Sequence, residues 1–167
     1  MFRKMRRFKQ QLTDAEVNAV LSRGKTGVLA VIGDEGYPYA VPMNYVFAEG
    51  KVFLHSARSG HKIDAIAACD KASFCVIDAD EVVPSDYSTN YRSVIAFGRA
   101  RILDDESQKM AAIRLLGDKY NPGHDDALAA EIEHGFTHLH IIEFSIEHVT
   151  GKQSKELARV KGPLDKL

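Results

Sequence analysis

Residues 27–55 read GVLAVIGDEGYPYAVPMNYVFAEGKVFLH, and this stretch decides the fold. Apolar runs at 27–32 and 37–47 flank a glycine-bounded turn at 33–36, and a third run follows a second turn at 49–50. Turns of this kind join consecutive β-strands into hairpins. Because connections this short allow only antiparallel pairing, the stretch predicts a three-stranded antiparallel meander.

The flanking sequence extends the meander into a barrel with peripheral helices. Thr13 and Glu16 form a capping-box pattern that begins a first amphipathic helix, and Gly24 is its natural end. Periodicity predicts further strands at 72–77, 91–103 and 139–147, and helices at 61–69, 106–120 and 125–133. Residues 78–90 are acidic, and we expect them to be irregular. The chain from Lys152 is polar, and we expect it to be poorly packed. Six strands with short turns predict a closed or nearly closed antiparallel barrel.

Two prolines mark the second predicted strand as unusual. Pro38 and Pro42 have no backbone N–H to donate to a neighbouring strand. We therefore expect this strand to lie at an edge, to bulge, or to open toward a ligand.

Length and charge limit the classes of function. The chain has 167 residues and a net charge of −1, which predicts one domain and no global attraction to nucleic acid or anionic membranes. We expect this domain to span residues 1–155, with a basic arm at 1–12 and a polar tail at 156–167. No run of signal-peptide or membrane-spanning length follows the arm, so we expect a cytoplasmic protein with neither nucleic acid nor membrane as partner.

Residues 51–62, KVFLHSARSGHK, place anion-seeking groups directly after an apolar strand. Two hydroxyls, two imidazoles, a guanidinium and an ammonium follow Leu54, and a short helix is predicted to begin near His61. A helix N-terminus presents unpaired N–H groups and partial positive charge, so the pattern favours a phosphate site. A solvated basic loop is the alternative.

Five ordered blocks of this sequence resemble the pyridoxamine 5′-phosphate oxidase-like flavin-binding proteins, and within them the nitroimidazole-resistance (Nim)-like branch. The blocks are residues 27–47, 55–62, 83–85, 91–98 and 150–152. The resemblance implies a six-stranded antiparallel split β-barrel of meander or Greek-key type. It also implies a homodimer that holds FMN between its two subunits.

The resemblance also assigns roles to individual residues. His55 would face the flavin and its substrate. The residues that would bind the cofactor are Val41, Pro42, Met43 and Asn44 along the ring, Ser56, Ala57, His61 and Lys62 at the phosphate, and Tyr91, Arg92 and Ser93 on the adjacent strand.

Each assignment has a structural alternative. His55 would then be a capped histidine at a strand end, and Val41 and Met43 would belong to the core. Arg92 would pair with Asp80 or Asp86. Lys62 is the exception, because a cation in the first helical turn is unfavourable unless an anion compensates it.

These features together predict an FMN-dependent oxidoreductase that reduces small electron-poor acceptors such as nitroaromatic compounds, with NAD(P)H as a candidate transient donor. A non-catalytic flavin- or nucleotide-binding protein is the alternative, as is a split barrel that binds haem or a deazaflavin. No metal site is predicted, because no cysteine or carboxylate completes a site around His134, His138 and His140.

Overall fold

The computed structural model describes residues 1–159, and within them the fold is one seven-stranded antiparallel sheet with helices on its two faces. The strands are β1 (Thr26–Ile32), β2 (Pro38–Asn44), β3 (Val46–Ala48), β4 (Lys51–Ala57), β5 (Lys71–Val83), β6 (Ser88–Ile102) and β7 (Leu139–Gln153). The helices are α1 (Asp14–Arg23), α2 (His61–Ala68), α3 (Glu106–Tyr120), α4 (Asp125–Gly135) and α5 (Lys155–Arg159). The strand order is β2-β1-β5-β6-β7-β4-β3. The predicted antiparallel split-barrel class is confirmed, but the hydrogen-bonded sheet does not close into a ring.

The proline-containing strand lies at an edge, as its composition predicts. β2 pairs with β1 alone, from Ile32 opposite Pro38 to Thr26 opposite Asn44. Its outer edge needs no N–H donor from Pro38 or Pro42, so both prolines are tolerated there.

The second predicted strand is two strands, which corrects the predicted number from six to seven. The chain leaves β2 at Asn44 and re-enters the sheet at Val46 in β3, which pairs with β4 at the opposite edge. Between them Tyr45 is fully buried, and its hydroxyl donates to the Leu21 carbonyl at 2.7 Å. The pairing partner changes at Tyr45 because its side chain is drawn into the core.

A seam separates the two edges of the sheet. β4 pairs with β7 along its whole length, but β3 covers only Lys51 to Phe53 on its other side. The backbone of residues 54–57 therefore has an unpaired edge, as does β2, and the two strands contact each other. We call the space bordered by β2 and residues 54–57 the seam.

The region predicted as irregular is a hairpin. β5 continues to Val83 and β6 begins at Ser88, joined by a short turn at Pro84–Asp86. A bulge near Asp78 turns that carboxylate toward Arg23 and Arg92, which offset the cost of placing it inside the strand.

The chain beyond Lys152 is better packed than predicted. β7 runs to Gln153, and both Gln153 and Ser154 are buried. The buried Gln153 accepts a hydrogen bond from Arg92 at 3.1 Å. Residues 160–167 of the predicted polar tail lie outside the described residues.

Two apolar clusters hold the sheet and helices together. The larger one joins the inner sheet face to α1, whose buried side chains are Val17, Val20 and Leu21. The second joins the outer face of β4 and β7 to α3 and α4 around Ile141. Thr13 and Glu16 make both bonds of the predicted capping box at the start of α1. None of the described helices is long and apolar enough to cross a membrane.

Candidate functional site

The N-terminus of α2 lies at one end of the seam and has no side-chain cap. Gly60 precedes the helix with φ of 125°, a left-handed conformation that favours glycine. The Ile63 N–H donates to the Gly60 carbonyl at 2.8 Å, which leaves the preceding N–H groups of His61 and Lys62 outside the helical pattern. These groups and the helix dipole favour an anion at this position.

Ser56 provides a second donor, four residues before Gly60 in the chain. Its side chain lies on the inner face of β4, and its hydroxyl is buried without a hydrogen-bond partner among the described residues. A buried hydroxyl without a partner is costly, because it gives up hydrogen bonds to water. This orphaned group fits a phosphate oxygen, which is the role that the resemblance assigns to Ser56.

His61 bridges the seam from α2 to β2. Its ring stacks on Tyr39 with centroids 4.2 Å apart, and its Nε2 accepts from the Asp34 N–H at 3.3 Å. The sequence did not single out Tyr39 or Asp34. Gly33 could have indicated this close contact, because a Cβ at that position would lie only 2.8 Å from the His61 Nε2.

Lys62 and Ala57 complete this end of the seam. Lys62 is half-buried, and no carboxylate in residues 1–159 lies within 4.0 Å of its ammonium group. Ala57 ends β4 with its side chain exposed. The charge of Lys62 is therefore available to a ligand.

The ring-facing candidates on β2 divide between its two faces. Val41 and Met43 are half-buried against the main core, whereas Pro42 and Asn44 are exposed. The Asn44 Nδ2 donates to the Lys25 carbonyl at 3.0 Å. The core alternative therefore holds in part for Val41 and Met43, whose partial exposure still leaves an apolar surface.

His55 and Ser56 leave β4 on opposite faces, as the strand pattern requires. His55 is exposed and lies opposite Ile141 of β7 in the register. It is therefore separated from the phosphate donors that Ser56 joins.

Tyr91, Arg92 and Ser93 lie on β6, away from the Ser56 end of the seam. On β7, Ser93 lies opposite Lys152 and Ser56 lies opposite His140. Twelve residues of strand, or roughly 40 Å, separate these two positions along β7. Within one chain, these residues do not join the Ser56 cluster.

Arg92 is buried in an ion pair. Its Nη1 lies 3.1 Å from Asp78, the partner that the structure shows in place of the predicted Asp80 or Asp86. Burial alone would raise the pKa of Asp78, but hydrogen bonds and charge from Arg23 and Arg92 outweigh it and lower the pKa. The Arg92 guanidinium therefore binds side chains of its own chain, Asp78 and Gln153, in this structure.

The three histidines near β7 do not gather a metal-ligand set. His134 lies on α4 with Nδ1 2.8 Å from the Ala130 carbonyl, and His140 lies opposite Ser56 on β7. Across residues 1–159 there is no group of three or more His, Cys, Asp or Glu side chains placed to hold a metal ion.

The sequence and the fold of this chain were compared with those of known proteins. The sequence profile of a family described as pyridoxamine 5′-phosphate oxidase matches residues 13–153. No curated protein sequence gives a significant match.

Three solved structures show the same fold. A Bacteroides thetaiotaomicron protein named for 5-nitroimidazole antibiotic resistance is 19% identical, with a TM-score of 0.72 over 86% of each chain. An FAD-binding protein from Mesorhizobium loti is 25% identical, with a TM-score of 0.62 over 87% of this chain and 98% of that one. A Mycobacterium smegmatis protein that binds FAD and haem is 20% identical, with a TM-score of 0.75 over 87% of this chain and 74% of that one. Because the family profile covers most of the chain and the fold agrees, this chain belongs to the pyridoxamine 5′-phosphate oxidase family.

Proposed function

We propose that this protein is an FMN-dependent oxidoreductase that reduces small, flat, electron-poor acceptors such as nitroaromatic compounds. The observation that carries the proposal is the end of the seam where the orphaned Ser56 hydroxyl, the Lys62 ammonium and the uncapped α2 N-terminus occur together. These donors suit one phosphate group, which is what FMN carries. The neighbours named for FAD binding and for 5-nitroimidazole resistance support the same cofactor class and acceptor class.

The chain's own residues would bind and orient the cofactor. Ser56 would donate to a phosphate oxygen, and Lys62 would add a charge-assisted contact. Val41 and Met43 would supply an apolar wall for the flat ring. The side-chain oxygen Oδ1 of Asn44 would accept a hydrogen bond from the polar edge of the ring.

His55 would act on the acceptor rather than on the phosphate. FMN, when bound, supplies the electron transfer. An acceptor that gains electrons becomes more basic at its oxygens, and an imidazole N–H can donate a proton there. The position of His55 on the face opposite Ser56 supports this division of roles.

The separation of the β6 residues supports a homodimer. Tyr91 and Ser93 point away from the core on the outer face of β6, far from the Ser56 cluster of their own chain. A second copy of the chain would bring them to the same cofactor. Light scattering of the FMN-loaded protein should give a dimer, and a monomer that binds FMN tightly would overturn this part of the proposal.

The absorbance spectrum before and after addition of FMN tests the cofactor. A bound-flavin spectrum supports the proposal. A Soret band would assign haem instead, and a colourless protein that takes up no FMN would rule out the flavin function.

The acceptor is tested by anaerobic reduction of the FMN-loaded protein, with NAD(P)H or a chemical reductant, followed by a nitroimidazole. Reoxidation of the flavin with loss of the nitroimidazole is expected. His55→Ala should retain FMN and reoxidise more slowly, while the exposed His124→Ala serves as control. A reduced flavin that persists in the presence of the acceptor would leave a binding protein as the better description.

A further inference from the structure

A strongly basic cleft lies between the N-terminal arm and α5, outside the seam. Its lining consists of Arg6, Arg7, Phe8, Lys9, Gln10, Lys155, Ala158 and Arg159. It encloses about 570 Å³, which lies within the roughly 300 to 1,000 Å³ of small-molecule sites. Among residues 1–159, the lining holds five cations and no carboxylate, in a chain whose net charge is −1.

Both walls of the cleft are anchored to the sheet at Tyr91. On the arm side, buried Gln10 accepts from the Tyr91 hydroxyl at 3.4 Å, and the Leu12 N–H donates to Gly151 at 2.9 Å. On the α5 side, the N–H of buried Ser154 donates to the Tyr91 carbonyl at 2.8 Å. The walls are therefore held together although their charges repel each other.

Several arginines outside the cleft are paired with carboxylates. Arg92, Arg99 and Arg101 each meet a carboxylate within 3.1 Å. In the described part of the chain, no carboxylate lies within 4.0 Å of any cation that lines the cleft. Five cations in one concave site, with no carboxylate partner among residues 1–159, favour a ligand with several negative charges.

The shape and the aromatic wall define the ligand further. Phe8 is 68% exposed although it borders the cleft, so its ring is available for stacking on a flat group. Arginine forks match phosphate oxygens in pairs. We propose that this cleft binds a nucleotide with two or more phosphate groups, whose base stacks on Phe8 and whose phosphates meet Arg6, Arg7 and Arg159.

Calorimetric titration with ADP, AMP and pyrophosphate at constant ionic strength tests the proposal. ADP should bind at least tenfold more tightly than AMP, and Phe8→Leu should reduce ADP affinity to that of pyrophosphate. The double substitution Arg7→Gln, Arg159→Gln should weaken ADP at least tenfold. The matched control is Arg3→Gln with Lys4→Gln, which removes the same charge from arm residues that border a different cleft, and it should change affinity less than twofold.

The same titration in excess FMN separates this cleft from the flavin site. ADP binding that persists supports a separate site, and displacement by FMN would overturn it. Equal loss in the two double variants would also overturn the proposal, since it would reduce the effect to overall charge. A short oligonucleotide that binds more tightly than ADP and displaces it would identify a nucleic-acid surface instead.

Discussion

The hydroxyl of Tyr120 bonds both backbone groups of Tyr45, at the residue where the chain passes from β2 to β3. The hydroxyl oxygen accepts from the Tyr45 N–H at 2.9 Å, and its one proton lies between two acceptors, the carbonyl oxygens of Tyr45 at 2.7 Å and Lys25 at 2.5 Å. Tyr45 belongs to no strand, so these bonds replace those that a strand neighbour would make. One side chain at the end of α3 thereby holds the point where the chain changes its pairing partner.

Tyr120→Phe should lower the free energy of unfolding by about 1 to 2 kcal/mol, because the partly buried backbone of Tyr45 loses its partners. Urea denaturation measures the loss. Tyr37→Phe is the control, since Tyr37 is 74% exposed and its hydroxyl makes no hydrogen bond in the described chain. Equal stability of the two variants would contradict a role for Tyr120 at this junction.

Arg92→Met should be strongly destabilising, by about 3 kcal/mol, because it leaves the Asp78 carboxylate with only part of its compensation inside the protein. Arg99→Met removes a guanidinium that also has two partners but is half-exposed, and its loss should be much smaller. Denaturation of both variants in one buffer makes the comparison. Similar losses would mean that burial does not govern these ion pairs.

Lys119 should make stability rise with pH above 8. Its ammonium lies 4.1 Å from the Tyr45 ring and donates to the Gly24 carbonyl at 2.6 Å, and burial lowers the pKa of Lys119 from 10.5 to about 8. Between these values the unfolded chain holds the proton and the folded chain does not, so the free energy of unfolding increases with pH. Denaturation across this range should show a weaker rise for Lys119→Met than for the wild type or the surface control Lys71→Met. Parallel curves would contradict the lowered pKa.

Ser56→Ala should move stability and cofactor binding in opposite directions. Removal of the buried, unpartnered hydroxyl should stabilise the ligand-free protein by about 1 kcal/mol and weaken FMN binding. Thermal unfolding without FMN and a fluorescence titration with FMN measure the two effects. Ser73→Ala, a half-buried serine on β5, should change neither, and a destabilised Ser56→Ala would indicate a hydrogen bond within the free protein.

Lys62→Ala should weaken FMN binding by about 1 to 3 kcal/mol, through loss of a charge-assisted phosphate contact. The effect should shrink at high salt, because the half-buried ammonium is partly screened. Lys71→Ala removes an exposed lysine on β5 and should leave the affinity unchanged. If Lys62→Ala binds FMN with unchanged affinity, Lys62 does not contact the phosphate.

Several features of the fold were predictable because they depend on neighbours in sequence. The capping box of Thr13 and Glu16 was identified from residue types three positions apart. The edge position of β2 followed from the missing N–H groups of Pro38 and Pro42. The strand-to-helix junction at residues 55–62 was likewise visible as a change of pattern.

Other features had no local signal. The hairpin across residues 78–90 brings Asp78 to Arg92, and the assembled fold brings it to Arg23, which is 55 residues away. The prediction that this acidic segment is irregular was therefore wrong. The hydroxyl that bonds the backbone at the Tyr45 break comes from Tyr120, 75 residues away.

The candidate site shows the same division. The amino-acid sequence determined that donors for an anion follow β4, and that His55 and Ser56 face opposite ways, because alternation along a strand is a local property. Only the tertiary structure decided that Ser56 is buried without a partner, that His61 stacks on Tyr39, and that Arg92 is held by Asp78. Burial and charge pairing depend on which distant segments pack together, and a single strand carries no information about that choice.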